Sequence, residues 1–220
     1  MSDLSNDFLA FVLKREALKF GSFQTKSGRE SPYFFNAGGL HLGRDLIELG
    51  RFYAGAIQEN FGDEVDIIYG PAYKGIPLAV VTAMGLSEHY GREVSYFFNR
   101  KEAKDHGEKG SLVGRIPQPG ERVVIVDDVI TAGTAIRETM EVLSSVEGID
   151  LKGVLVALDR QEKGNSEKSA IMEVEEDFGL PVKSIADLKK LLSWIENGKG
   201  FDADLYERIA AYRDRYGVEI

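Results

Sequence analysis

Apolar residues fall along the chain in two rhythms. Over residues 4–19 they recur at Phe8, Phe11, Val12 and Leu18, a helical spacing that predicts a first helix. Residues 23–37 are rich in aromatics and punctuated by Gly28 and Pro32, which predicts short strands or a hairpin. Helical spacing returns over 43–60, with Leu46, Leu49, Phe52, Tyr53, Ala56 and Ile57 facing inward. Beyond that the two rhythms alternate. Short apolar strands at 65–69, 94–99, 122–126 and 154–158 are interleaved with helical segments at 76–84, ending near Gly85, and at 135–146. The last third adds a helix near 170–178, a strand near 181–185 and two more helices. Apolar strands alternating with helices of this length indicate a parallel sheet covered on both faces. The expected fold class is therefore α/β, a doubly wound parallel-sheet core over about 61–185 within a single domain spanning 1–220. An N-terminal helix and hairpin cap (about 1–60) would sit above the carboxyl ends of the strands, and C-terminal helices would fill about 186–220.

Composition narrows the function classes. Hydrophobic residues make up 43% and charged residues 29%, a globular balance. The net charge of −9 repels nucleic acid and anionic membrane, so a phosphate ligand needs local basic groups. With no cysteine, disulfides and thiolate metal sites are excluded. The acidic start at Asp3 and Asp7 does not read as a signal peptide. Residues 76–86 are the longest apolar-leaning stretch and fall far short of the ~20 needed to span a bilayer. A soluble cytoplasmic protein is expected, with no nucleic-acid or membrane partner.

The chemistry concentrates in VVIVDDVITAGTA, residues 123–135. Four apolar residues end abruptly at Asp127 and Asp128. Two adjacent carboxylates repel each other, so they call for a cation, a pair of sugar hydroxyls or solvent. After Val129 and Ile130, the residues Thr131, Ala132, Gly133, Thr134 and Ala135 are all small and leave backbone N–H groups open, at the positive end of the helix that follows. That is a phosphate cradle, at the strand end where open α/β sheets bind ligands. An ordinary strand–turn–helix with exposed acids and capping threonines explains the acid pair alone, but not the whole string. No P-loop and no GxGxxG fingerprint competes with it.

The thirteen-residue string resembles the phosphoribosyl pyrophosphate signature of the type I phosphoribosyltransferases. Three further segments agree with that resemblance. DIIYGPAYKGIP (66–77) is a second strand–turn–helix, with Tyr73, Lys74 and Gly75 in its turn. By itself Lys74 reads as a solvated turn lysine; beside the acid segment it reads as a pyrophosphate ligand, and the family implies a cis peptide between Ala72 and Tyr73. RKEAKDHGEKG (100–110) carries Arg100, Lys101, Lys104, His106 and Lys109. Its charge content alone suits a solvated hairpin, yet it matches the RKxxKxHGExG lid of the orotate phosphoribosyltransferases. FQTKSGRESPYFFNAG (23–38) contains Lys26, Phe34 and Phe35. Both phenylalanines suit a core, although only one of two neighbours on a half-buried strand can face it. Arg160 follows the strand at 154–158. It is placed equally well for an ion pair with Asp159 or Glu162 and for a two-pronged grip on a planar carboxylate.

The resemblance implies orotate phosphoribosyltransferase chemistry on orotate and phosphoribosyl pyrophosphate, within pyrimidine biosynthesis. Asp127, Asp128, Lys104 and His106 would serve catalysis. Lys26, Tyr73, Lys74, Arg100, Lys101, Lys104, His106 and residues 127–135 would bind phosphoribosyl pyrophosphate. Phe34, Phe35, Thr131 and Arg160 would bind orotate. Mg²⁺ would be bridged through diphosphate and ribose with no dedicated protein site, and a homodimer would share its active sites. The rival readings are a phosphoribosyltransferase for another base, which has no reason to carry the His106 lid, and a non-catalytic nucleic-acid regulator, which the negative charge disfavours.

Overall fold

The computed structural model describes residues 3–25, 28–101, 111–130, 133–164, 166–198, 200–202 and 204–218. Helix α1 (Leu4–Lys14) begins where the Asp3 side chain accepts a hydrogen bond from the Ser5 amide, and it buries Phe8, Leu9, Phe11 and Val12. It stops five residues short of the apolar pattern. Glu16 takes a positive φ of 56° that a helix cannot continue, and Leu18 instead opens a strand opposite Phe35. Strands β1 (Leu18–Gln24) and β2 (Glu30–Phe35) form an antiparallel hairpin.

After α2 (Gly43–Phe61) the chain alternates through β3 (Ile67–Tyr69), α3 (Gly75–Tyr90), β4 (Ser95–Asn99), β5 (Leu112–Gly114), β6 (Arg122–Asp127), α4 (Thr134–Leu143), β7 (Asp150–Asp159), α5 (Ala170–Phe178) and β8 (Val182–Asp187). Helices α6 (Leu188–Asn197) and α7 (Leu205–Tyr216) complete it. The sheet order is β5-β4-β3-β6-β7-β8, parallel except for β5 against β4. From β3 the chain goes to β4 on one side and later to β6 on the other, so the strand order reverses between β3 and β6.

Alternate residues of each strand face opposite layers. Ile68, Val124, Val126, Leu155 and Ala157 pack with α1, α2, α3, α6 and α7, whereas Ile67, Val123, Ile125, Val154 and Val156 pack with α4 and α5. The doubly wound core is thus observed. Within the N-terminal region, however, α1 and α2 lie against the sheet rather than above it: the Ser5 hydroxyl donates to the Ile185 carbonyl, and Tyr53 of α2 is fully buried. The hairpin reaches over the carboxyl ends, where Asn36 meets Lys74.

Helix α3 runs past Gly85, where the sequence suggested it would end. Gly85 is a contact point: a Cβ there would come within 2.4 Å of the Gly50 carbonyl oxygen on α2. The helix ends at Gly91, whose φ is +64°. Strand β5 carried no sequence signal and is the return arm of the charged 100–110 segment, closed by the Arg100 amide donating to the Ser111 carbonyl at 2.6 Å. Among the described residues, no helix is long and apolar enough to cross a membrane.

Candidate active site

The reversal of strand order between β3 and β6 leaves a crevice at their carboxyl ends, where open α/β sheets bind ligands. Two loops meet there. The first is the turn after β3, where the Ala72–Tyr73 peptide is cis and Lys74 leads into α3. The second follows β6, whose apolar run carries Asp127 and Asp128 to the carboxyl end of the sheet.

Lys74 Nζ lies 2.7 Å from Asp128 Oδ2 and 3.2 Å from Asn36 Oδ1. Lysine, carboxylate and asparagine thus come from three separate segments. The other Asp128 oxygen accepts the Val129 amide at 2.9 Å, and Asp127 Oδ1 accepts the Asp128 amide at 2.8 Å. Beneath them the Tyr53 hydroxyl donates to the Asp127 carbonyl at 2.8 Å, which ties the strand end to α2. Asp127 is buried, and among the described residues no cation pairs with it. Desolvation, and then repulsion from Asp128, push its pKa up to about 7 against weaker opposition from the Asp128 amide and Lys74. The acid pair is therefore divided: Asp128 is satisfied by Lys74, and Asp127 is held where its charge is costly.

Beyond the acids, Val129 and Ile130 are half-buried and join opposite core layers. Gly133 takes φ +70° and caps α4, so Thr134 and Ala135 form the exposed first turn of that helix. Tyr73 is 67% exposed, with Lys101 Nζ 5.6 Å from its ring centre. Arg100 is half-buried at the root of the charged segment. Lys26, Lys104, His106, Thr131 and Ala132 lie outside the described residues.

The two phenylalanines divide as the pleat requires. Phe35 is buried against Phe8, which removes it as a side-chain ligand, whereas Phe34 is 44% exposed and stacks on Phe23. Phe34 and Asn36 line an open cavity of about 480 Å³ together with Lys19, Ser22 and Phe23. Arg160 lies against alternate residues of β2 from these: its Nη2 is 3.1 Å from the Ser31 hydroxyl and its guanidinium sits 4.4 Å from the Tyr33 ring centre. Of the two partners weighed for it, Glu162 is the one it pairs with, at 2.7 Å.

Sequence reasoning missed Asn36 and Asn99. Asn99 Oδ1 accepts both the Tyr69 hydroxyl and the Ala72 amide at 2.9 Å, joining the turn after β3 to the last residue of β4. Its one signal was its place immediately before Arg100. Asn36 closes β2 and caps the following 3₁₀ turn by accepting the Gly38 amide.

The chain is similar over nearly its whole length to known proteins. A family model described as phosphoribosyl transferase domain matches residues 40–186. The orotate phosphoribosyltransferase of Vibrio atlanticus is 55% identical over 218 residues, covering 99% of this chain and all of that one. The protein of that name from Pseudomonas fluorescens is 54% identical over the same span. The crystal structure of orotate phosphoribosyltransferase from Francisella tularensis superposes with a TM-score of 0.84 at 37% identity, covering 96% of this chain and 99% of the other.

Proposed function

Because the chain belongs to the orotate phosphoribosyltransferase family, we propose that it transfers the phosphoribosyl group of phosphoribosyl pyrophosphate to orotate. A ring nitrogen of orotate attacks the anomeric carbon and gives up its proton to solvent, the bond from that carbon to the diphosphate oxygen breaks, and the oxygen leaves with the electron pair. The products are orotidine 5′-monophosphate and diphosphate.

The observation that carries this reading is the Lys74–Asp128 pair at the reversal point of the sheet. Lys74 and Asp128 satisfy each other's charge. An incoming diphosphate competes for Lys74, and a ribose hydroxyl competes for Asp128, so one ligand bearing both groups replaces one ion pair by two charge-assisted contacts. Arg100, Lys101, Lys104 and His106 join Lys74 against the leaving diphosphate. Asp127 and Asp128 face the ribose, where a transition state of oxocarbenium character gathers positive charge. Thr131 to Ala135 anchor the 5′-phosphate at the start of α4. Lys26 is assigned to phosphoribosyl pyrophosphate, and Phe34 and Arg160 to the base. No protein nucleophile is needed, so catalysis rests on positioning and electrostatics.

Among the described residues, no cluster of three metal-ligating side chains occurs. Two adjacent carboxylates nevertheless suit a hard cation that arrives on the diphosphate and keeps most of its water, as Mg²⁺ does. When bound, Mg²⁺ supplies positive charge to the diphosphate oxygens. We place the enzyme in the cytoplasm, as a homodimer whose charged 100–110 segment serves the neighbouring site.

The direct test follows orotate absorbance with phosphoribosyl pyrophosphate, with and without Mg²⁺, and in reverse from orotidine 5′-monophosphate plus diphosphate. Consumption of orotate that depends on Mg²⁺ is expected. Turnover of adenine or hypoxanthine with none of orotate would overturn the assignment.

A further inference from the structure

Helix α7, for which the sequence suggested no role, ends against the segment that carries Arg160. The Lys163 amide donates to the Tyr216 carbonyl at 2.8 Å, the Val218 amide donates to the Gln161 carbonyl at 2.9 Å, and Glu162 pairs with Gly217 in an antiparallel bridge. Residues 161–163 are thus stapled to the end of α7. Within the staple, Glu162 Oε1 accepts a hydrogen bond from Arg160 Nε at 2.9 Å and stands 2.7 Å from Arg160 Nη2, which donates to the Ser31 hydroxyl. The Tyr33 hydroxyl donates to the same Glu162 oxygen at 3.3 Å. Burial holds the Tyr33 pKa well above the usual phenol value, so it remains a donor. Glu162 Oε2 stands 3.8 Å from Arg29, whose guanidinium bonds the Lys163 carbonyl and lies over the Tyr216 ring. Tyr212 of α7 meets the Tyr33 ring edge-on, on the ring that carries Arg160.

We propose that Glu162 is a positioning residue for base recognition: held by α7, it occupies one edge of the Arg160 guanidinium and fixes the plane in which the remaining donors are offered. This rests on the reading that Arg160 grips orotate. Two effects of Glu162 oppose each other. Its charge offsets that of Arg160, which weakens attraction for an anionic base. Its hydrogen bonds freeze a side chain that would otherwise lose rotamer freedom on binding, and a fixed planar fork is what two-pronged recognition requires. A half-buried arginine held on one side by an aromatic face and on the other by a carboxylate oxygen that meets both Nε and Nη2 argues that orientation dominates.

The sign of the effect on orotate KM separates the two. With orientation dominant, Glu162→Ala raises the KM for orotate about tenfold, the scale of one lost charge-assisted hydrogen bond. The KM for phosphoribosyl pyrophosphate stays put. Glu162→Gln, which keeps the acceptor and loses the charge, recovers most of that loss. Should Glu162→Ala fold poorly, Tyr33→Phe removes one donor to Glu162 and keeps the ring; a rise of about threefold in the same KM is expected. Arg160→Ala is measured alongside. If it leaves the orotate KM unchanged, the assignment of Arg160 to the base falls, and the role of Glu162 with it. If it raises that KM while Glu162→Ala lowers it or leaves it alone, the base assignment stands and the positioning role is refuted. A parallel rise in both substrate KM values for Glu162→Ala also refutes it, because only a general loss of structure has that signature.

Discussion

Asp127 and Asp128 are chemically identical neighbours in different environments. Asp128 faces Lys74 and has a charged partner; Asp127 is buried, with its pKa raised to about 7. In the unfolded chain Asp127 loses its proton near the ordinary value of 3.8. Between that value and about 7 the folded protein binds more protons than the unfolded one, so this group's contribution to stability falls as pH rises through the window and stays low above it. Asp127→Asn should therefore melt higher than the parent at pH 8, with a smaller difference at pH 5 that vanishes only near 3.8. Thermal melts at both pH values check it, and an equal difference at both would show that burial of this carboxylate is not the cause. For Asp128 the expected effect is on turnover. Asp128→Asn should lower kcat by about 10²–10³, the usual cost of one preorganised electrostatic group. The dissociation constant for phosphoribosyl pyrophosphate, measured by calorimetry, should move much less; unchanged kcat would remove Asp128 from the mechanism.

Elements set the next scale, and α2 against α3 is the informative pair. Gly50 and Gly85 let the two helices touch backbone to backbone: a Cβ on Gly50 would meet the Val81 carbonyl oxygen at 2.4 Å, and one on Gly85 the Gly50 carbonyl oxygen at 2.4 Å. That contact carries α2, and with it Tyr53, into reach of the strand end bearing Asp127. Gly85→Ala, a change that favours a helix by intrinsic propensity, should still destabilise. Overpacking costs about 1–3 kcal/mol, or roughly 3–10 °C in Tm for a chain of this size. Gly43→Ala, at the first position of α2 with open space around it, should leave Tm nearly unchanged. Equal Tm changes in the two variants would mean that the helix contact is not tight.

At the scale of the whole molecule, the proposed homodimer places the charged segment of one chain at the site of the other. The charged segment leaves from Asn99 at the end of β4 and returns through β5, on the edge of the sheet. Eleven residues from Arg100 to Gly110 are enough to reach beyond their own strand end. If Lys104 serves the neighbouring site, mixing Asp128→Asn with Lys104→Ala under subunit exchange creates one intact site in each mixed dimer. Random pairing makes about half the dimers mixed, so activity should recover to about a quarter of wild type. No recovery, with exchange confirmed by mass-tagged subunits, would show that each segment serves its own chain.

The sequence alone determined what depends on local pattern. Alternating apolar strands and helices specified the doubly wound sheet, and the run from Val123 to Ala135 specified a strand, an acid pair and a small-residue turn in that order. Side-chain period and turn chemistry are properties of neighbours along the chain, so no tertiary knowledge was needed. Tertiary structure decided everything that joins distant segments. Lys74, Asp128 and Asn36 meet only because β3 and β6 lie side by side under the hairpin, and no spacing in the sequence encodes that adjacency. Gly85 reads locally as a helix end and is instead a contact with Gly50, because a missing side chain means one thing in solvent and another against a neighbouring backbone. Arg160 was equally consistent with an ion pair and with a ligand grip. Its pairing with Glu162 was settled by α7, more than forty residues further along, which holds that glutamate in place.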